Sequence, residues 1–380
     1  MSVLFVSIDL FSIGGIQRYS RYLLAALLRS PRIDRLAVAS LAAPSDGGFD
    51  APVRVDATGG RGALGRLGFA ATCWRLAQAR RAALLIVDHV NLAPIAWLYR
   101  RLTGTPYWLN VYAIEVWGDL SWLRRRALLG AACIVSDCDY TRRVLEEKYP
   151  PLAGRIIVVP DCVDVDRFVP DAGKAAAAMP VVLTVSRLAE GRSKGHDAVL
   201  RALADLRRAG VDARYVIAGD GADRGRLESL VHELGLGARV RFTGRVDDAD
   251  LPALYAAADV FALVSAFDGA WQGEGVPLVV LEAQACGTPA ITGSRDGCAE
   301  SISDGETGIL VDPADGAAIA AALVRLICDA PLRARMGAAA RAFAERQFSV
   351  RSFETKIDAV AARFAERGAA GAMRPAEVRQ

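Results

Sequence analysis

The sequence lacks the residues on which several large protein classes are built. Its 380 residues hold three histidines, and its seven cysteines (Cys73, Cys133, Cys138, Cys162, Cys286, Cys298, Cys328) contain no C-x-x-C pair and no Cys/His cluster. That argues against structural zinc, dithiol redox chemistry and a disulfide framework, and for free thiols in a reducing compartment. No apolar run approaches the length needed to span a bilayer. The opening Met1-Ser2-Val3-Leu4-Phe5-Val6-Ser7-Ile8 reads as a strand, without the basic region and cleavage site of a signal peptide. A formal net charge of +3 gives no global reason to expect a nucleic-acid partner. These absences lead to the expectation of a cytoplasmic protein with no metal and no nucleic acid.

The charge that is present is unevenly placed. Residues 1–170 carry 21 Lys+Arg against 15 Asp+Glu, whereas the remainder carries 25 against 28. A basic first half suits an anionic membrane surface or an acidic acceptor. Two segments concentrate it beside tryptophan: Trp97-Leu98-Tyr99-Arg100-Arg101 and Trp117-Gly118-Asp119-Leu120-Ser121-Trp122-Leu123-Arg124-Arg125-Arg126. Core tryptophans under a solvated arginine face and peripheral contact with an anionic membrane both fit this pattern.

The length accommodates two domains. Short apolar runs alternate with helical patterns along the whole chain. In the first half the strands are Val3–Ile8, Leu36–Ser40, Leu84–Val87, Tyr107–Val111, Cys133–Ser136 and Ile156–Val159. The pattern restarts with Val181–Ser186, Arg214–Ala218, Val240–Thr243, Val260–Leu263, Ala290–Thr292 and Gly308–Val311. Continuous apolar strands separated by helices indicate parallel sheets covered on both faces. Residues 46–62 are too rich in Gly and Pro for core and read as a surface excursion. The expected class is therefore α/β, with two Rossmann-like α/β/α domains facing a central cleft. Ligands of such sheets bind beyond the carboxyl ends of the strands.

One stretch organises the chemistry: Glu274-Gly275-Val276-Pro277-Leu278-Val279-Val280-Leu281-Glu282-Ala283. Pro277 suits the first helical position, where a missing N–H costs nothing. Glu274 then stands in the loop before the helix, and Glu282 about two turns inside, roughly 12 Å along the axis. The amides at the start of this helix, around Val276, Leu278 and Val279, form an anion site. Two carboxylates that seek hydroxyls, flanking an anion site, suit a sugar nucleotide. Taken alone, the stretch reads better as a buried helix with one capping and one solvated glutamate.

Other strand ends add to it. Gly14-Gly15 opens a helix after the first strand, where a bare backbone can approach a phosphate. Arg187 and Lys194 share one short loop after a strand; a planar fork and a flexible ammonium make a diphosphate clamp. Gly219-Asp220-Gly221 and Thr243-Gly244 are glycine turns at further strand ends. Each is weak singly, and their shared position carries the information.

Together these motifs resemble the retaining GT-B glycosyltransferases of family GT4. The carrying residues are Gly14-Gly15, Val163-Asp164…Phe168, Ser186-Arg187-Leu188…Lys194-Gly195, Gly219-Asp220-Gly221 and Phe242-Thr243-Gly244. Most specific are the E-x7-E element Glu274…Glu282 and the segment Asp304-Gly305-Glu306-Thr307-Gly308-Ile309-Leu310-Val311. The resemblance implies a hexosyltransferase that needs no metal or cofactor. Its donor would be a UDP- or GDP-sugar and its acceptor a glycan or a polyprenyl-diphosphate-linked lipid, in cell-surface polysaccharide biosynthesis at the inner face of the membrane. Arg187 and Lys194 would hold the diphosphate, Glu274 the sugar hydroxyls and Glu282 the ribose. Gly14, Gly15, Gly219, Asp220 and Gly244 would line the donor with backbone.

The resemblance also implies a layout. Residues 1–168 form an acceptor-side domain, 169–180 a linker and 181–348 a donor-side domain. Residues 349–367 form a helix crossing back to the first domain, and 368–380 a frayed tail.

Two departures stand out. Tyr112, in Leu109-Asn110-Val111-Tyr112-Ala113-Ile114-Glu115, occupies the place of a family histidine near the reacting sugar, and Asp161-Cys162 stands where Asn-Gly is usual. With a pKa of about 10, tyrosine is a poor base at neutral pH. The resemblance implies that the leaving phosphate takes the acceptor proton, so activity can survive the change; by its position Tyr112 stands with Glu274, Arg187 and Lys194 among the candidate catalytic groups. His89, Glu115 and Trp117 are the acceptor-side candidates, and Trp271 is a candidate platform for the sugar. The alternatives are a non-catalytic relative that binds a sugar nucleotide or a partner transferase, and a GT-B nucleotide-sugar epimerase. The latter would need cleft acids and histidines that this sequence supplies poorly.

Overall fold

The computed structural model of the chain describes residues 1–44, 54–60, 62–174, 179–190, 194–265 and 273–369. Trp271, part of the linker expected at 169–180 and the tail from 370 onward lie outside the described residues. The chain divides into two compact units, Met1–Pro160 with Arg351 onward, and Asp161–Val350.

The first unit runs β1 (Ser2–Ser7), α1 (Gly15–Arg29), β2 (Arg35–Ser40), β3 (Ala57–Thr58), α2 (Gly62–Ala79), β4 (Leu84–Val87) and α3 (Ala93–Thr103). It continues with β5 (Tyr107–Val111), α4 (Ala113–Trp117), α5 (Trp122–Gly130), β6 (Cys133–Ser136), α6 (Asp139–Lys148) and β7 (Ile156–Val158). Its strands pair in the order β3-β2-β1-β4-β5-β6-β7. The pairs are parallel, with Val3 opposite Leu84 and Val6 opposite Val87. Every residue of β4, β5 and β6 is buried, which is what helices on both faces of a parallel sheet require.

The second unit holds β8 (Val181–Val185), α7 (His196–Arg208), β9 (Arg214–Ala218), α8 (Arg224–Glu233), β10 (Val240–Gly244), α9 (Leu251–Ala257) and β11 (Val260–Leu263). Then follow α10 (Leu278–Ala285), β12 (Ala290–Gly293), β13 (Gly308–Val311), α11 (Gly316–Cys328) and α12 (Ala330–Phe343). Its parallel sheet has the order β10-β9-β8-β11-β12-β13. Helix α7 buries Val199, Leu200, Leu203 and Leu206 on one stripe, the spacing of an amphipathic surface helix.

The closing helix α13 (Val350–Ala369) belongs from Arg351 onward to the first unit. Phe353 meets Tyr19 edge-on at 5.3 Å. Asp358 accepts hydrogen bonds from Ser30 Oγ at 2.7 Å and Arg32 Nε at 3.1 Å.

The division after Pro160 differs from the boundary expected at 168, and the described part of 169–180 is not a linker between the units. Residues 161–174 are fastened to the second unit. The Val163 amide donates to Phe348 O at 2.8 Å. Phe168 is buried edge-on to Tyr255, Arg167 pairs with Asp248 at 2.6 Å, and Lys174 Nζ donates to Ala258 O at 2.6 Å. Two short elements, β3 and α4, were not expected; β3 lies within the stretch read as a surface excursion. No described helix is long and apolar enough to cross a membrane.

Candidate functional site

Both sheets reverse their winding at one point, between β1 and β4 in the first unit and between β8 and β11 in the second. Outside the carboxyl ends of strands at such a reversal, the loops diverge and leave a crevice. Gly14, Gly15 and His89 follow the strands at the first of these places, and Arg187, Lys194 and Glu274 those at the second.

In the second unit the loop after β8 returns to α7 through Gly195, whose φ of +85° favours glycine. A Cβ there would stand 2.3 Å from Val264 O, at the end of β11. This close approach carries Lys194 to the β11 end, where its ammonium pairs with Glu274 Oε1. Ser265 Oγ donates to the same oxygen at 3.2 Å. The backbone of Glu274 is held on both sides. Its N–H donates to Asp296 Oδ2 at 2.8 Å, and its carbonyl accepts from the Gly297 N–H at 3.0 Å. Burial raises the Asp296 carboxyl above the usual range, against two backbone N–H donors that lower it. Ser265 and Asp296 went unnoticed in the sequence; the signal available was their place just after β11 and β12.

Arg187 begins the same loop. It is exposed and makes no ion pair with another described residue. The preceding Ser186 Oγ meets His196 Nε2 at 2.9 Å, and His196 Nδ1 meets Tyr215 Oη at 3.0 Å. Burial drives the His196 imidazole down to about 4. A neutral, doubly bonded ring therefore fixes the loop base. Gly219 packs so closely on Ser186 that a Cβ would sit 1.8 Å from its carbonyl oxygen, and the Gly219 N–H donates to Gly244 O at 2.8 Å. Asp220 is exposed and its carboxylate accepts the Gly221 amide at 2.9 Å.

Helix α10 starts one residue later than the sequence indicated. Pro277, with φ −80° and ψ 120°, is its extended cap, and among the described residues no side chain caps its first amides. Val276 is buried, whereas Leu278 and Val279 are half-buried. Glu282 is thus the fifth helical residue, one turn and roughly 6 Å inside rather than two turns. It is 2 % exposed and accepts from Tyr255 Oη at 2.7 Å.

In the first unit, Ile8, Ser12, Gln17, Leu41, Arg66 and His89 are among the lining of a cleft of about 670 Å³ at the ends of β1, β2 and β4. Gly14 caps α1 in an extended conformation, and nothing lies within 4 Å of a Cβ built on Gly15. No neighbouring atom therefore demands glycine at 15; the space over it is open. His89 Nδ1 accepts the Asn91 amide at 3.1 Å, and its Nε2 lies 3.9 Å from Glu115. Burial, with Arg124 adding to it, lowers the imidazole to about 4. The adjacent Asp88 is sealed from solvent and accepts from Ile8 N at 3.0 Å and Ser20 Oγ at 2.8 Å.

Two acceptor-side and catalytic expectations do not lie in this cleft. Trp117 is core: it is fully buried and donates Nε1–H to Thr141 Oγ1 at 3.1 Å. Tyr112 is enclosed edge-on to Tyr19 at 5.3 Å. Its hydroxyl completes no hydrogen bond with a described residue, although Ser20 and Asn110 lie beside it. Burial first, then the nearby Asp88, pushes its pKa well above the usual phenol value, so it stays protonated. Among the described residues no group of three or more His, Cys, Asp or Glu is placed to hold a metal ion.

Two family models match the chain: "Glycosyl transferases group 1" over residues 170–343 and "Glycosyltransferase Family 4" over residues 13–167. The chain is 38 % identical, over 54 % of its length, to the GDP-mannose-dependent alpha-(1-6)-phosphatidylinositol monomannoside mannosyltransferase of Mycolicibacterium smegmatis. It is 35 % identical, over 54 % of its length, to a D-inositol 3-phosphate glycosyltransferase of Corynebacterium jeikeium. These matches span 55 % and 52 % of the two relatives, little more than half of each. Among solved structures it is similar to Anabaena HepE in complex with UDP (TM-score 0.79, 20 % identity, 96 % of this chain and 100 % of that one). It is also similar to sucrose-phosphate synthase of Thermosynechococcus elongatus (TM-score 0.79, 21 % identity, 98 % and 100 %). At these identities the two structures speak to the fold, which is GT-B.

Proposed function

The chain belongs to glycosyltransferase family 4, and on that premise we propose that it moves a hexose from a nucleoside-diphosphate sugar to a glycan or lipid-linked acceptor, with retention at the anomeric carbon. The observation that carries this reading is the cluster of Lys194, Glu274 and Ser265 at the reversal point of the second sheet, with Arg187 exposed on the same loop.

The chemistry assigned to each residue follows from its setting. Arg187 and Lys194 receive the donor diphosphate, and neutralise it as charge grows on the leaving phosphate. Two cations placed there supply what a metal would, so transfer needs no cofactor. Glu274, its backbone locked by Asp296 and Gly297, accepts hydrogen bonds from the sugar hydroxyls, and Glu282 is assigned to the ribose. The bond from the anomeric carbon to the phosphate oxygen breaks, and the acceptor oxygen bonds that carbon on the same face. The hydroxyl proton passes to the departing phosphate. No protein base is required, which accords with a Tyr112 that keeps its proton. His89 and the cleft around it take the acceptor.

GDP-mannose is the first donor to test, because relatives above 30 % identity are named for it. The acceptor named for the same relatives is a phosphatidylinositol mannoside. Such an acceptor, or another glycolipid of the cell surface, fits the lipid-linked class. Release of GDP from GDP-mannose, assayed in EDTA with Arg187→Ala, Lys194→Ala and Glu274→Ala, tests the site. Undiminished turnover in all three would remove it. The tyrosine at position 112, where the family has histidine, motivates a second reading, a chain that binds the sugar nucleotide without turning it over. Saturable donor binding with no transfer across a broad acceptor panel would establish that instead.

A further inference from the structure

Helices α3 and α5 of the first unit build a surface that donor and acceptor chemistry does not use. They pack side by side: Trp97 meets Trp122 edge-on at 6.4 Å, and the Arg100 guanidinium donates to Gly130 O. The two helices hold five arginines and no carboxylate. Arg101, Arg124, Arg125 and Arg126 are exposed, and none makes an ion pair with a described residue. Between them project apolar side chains that the core does not need: Leu102 is 68 % exposed, Trp122 65 %, Leu98 50 % and Leu123 40 %. Arg101 lies over the Trp97 ring at 5.9 Å and Arg126 over Trp122 at 5.6 Å, so cation and aromatic face are presented together.

We propose that this α3–α5 face docks on an anionic lipid bilayer, with Trp122, Leu98, Leu102 and Leu123 entering the headgroup boundary and the arginines contacting lipid phosphates. Charge and apolarity must both be explained. A nucleic acid would account for the arginines and leave the leucines exposed, and a neutral protein groove would account for the leucines and leave uncompensated cations. A bilayer with anionic headgroups satisfies both, since apolar insertion and attraction to acidic lipid act together. The face belongs to the same unit as the cleft, and the Arg124 charge reaches His89 in the cleft lining. A docked first unit would present that cleft at the lipid surface. This last advantage rests on the proposed lipid-linked acceptor; the docking itself does not.

Flotation of the full chain with phosphatidylcholine vesicles, with and without phosphatidylglycerol, tests the proposal. Binding is expected only to vesicles containing phosphatidylglycerol, and to weaken as salt is raised. Arg101→Glu with Arg126→Glu should reduce partitioning about 30-fold or more, whereas Arg101→Lys with Arg126→Lys should retain most of it. Leu98→Ser with Leu123→Ser should also weaken binding with no change in charge. Thermal melting confirms that each variant is folded. Equal partitioning into both vesicle types, no partitioning at low salt, or binding that survives both sets of variants would overturn the proposal. So would binding to a DNA duplex, unaffected by the leucine changes, by a chain that ignores vesicles. No donor is present, so a chain that transfers sugar but fails to float sinks only the docking surface. One that floats but does not transfer sinks only the transferase.

Discussion

Lys194 and Glu274, eighty positions apart in the chain, meet as an ion pair at the end of β11, each partly shielded from solvent. Three unrelated features converge to place them: the left-handed Gly195 against Val264, the Ser265 hydroxyl, and the Asp296–Gly297 clasp on the Glu274 backbone. A pair this accessible contributes about 1 kcal/mol or less to stability, so its elaborate support points to ligand binding.

The first prediction follows directly. Lys194→Ala should lower kcat/KM by roughly 10²- to 10³-fold, as expected when a donor to developing charge is removed. Its denaturant midpoint should barely move. Arg187→Lys should cost about tenfold, because an ammonium cannot replace the planar fork. Steady-state kinetics beside urea unfolding separates these effects, and a loss of activity that tracks a loss of stability would count against a ligand-binding role.

Gly297→Ala should damage the site through sterics. A Cβ there would lie 2.8 Å from Glu274 O and 2.7 Å from Gly275 C, and backbone on both sides leaves nothing flexible to yield. We expect about 1–3 kcal/mol of destabilisation together with a rise in donor KM at temperatures where the variant is folded. Unchanged KM would show that the position of Glu274 does not matter.

How far this was legible beforehand differs by element. β4, β5, β6, β9, β11 and β13 have the boundaries read from sequence, because each is a four- or five-residue, mostly apolar run. β3 and α4, of two and five residues, are too short to show a period. The Glu274, Arg187 and Lys194 strand ends were readable as a group, since strand ends and glycine turns can be located from pattern. The contacts that lock them, from Ser265 and Asp296, depend on loops meeting in space. Tyr112 and Trp117 could not be told from surface residues, because a side chain with a polar tip suits a wet rim and a satisfied core position alike.

Tyr112→Phe tests whether that residue does chemistry. Its hydroxyl is enclosed and completes no hydrogen bond with a described residue, so deletion should leave stability unchanged or raise it by up to about 1 kcal/mol. Transfer should persist within a few-fold. A loss of activity at unchanged stability would give Tyr112 a direct role.

Asp88 and His89 set opposite pH dependences. Burial raises Asp88 to about 6. The native state therefore holds that proton more tightly than the unfolded chain, and the resulting stability is complete below about 4 and lost as pH rises through about 6. His89 is lowered to about 4, so its contribution is complete above about 6.5 and lost as pH falls through about 4. Relative to the parent, Asp88→Asn should gain about 2–3 kcal/mol as pH rises from about 4 to 7. His89→Gln should gain as pH falls over the same range. Urea unfolding across pH measures both, and profiles parallel to the parent would contradict the burial of these charges.

The central claim is that the Lys194–Glu274 cluster holds a sugar nucleotide. Titrating GDP-mannose and a UDP-hexose into the parent, Lys194→Ala and Glu274→Ala by calorimetry tests it most directly. We predict saturable binding of one donor by the parent and at least about tenfold weaker binding in both variants, or about 1.4 kcal/mol. Equal affinity in parent and variants, at equal stability, would contradict the claim.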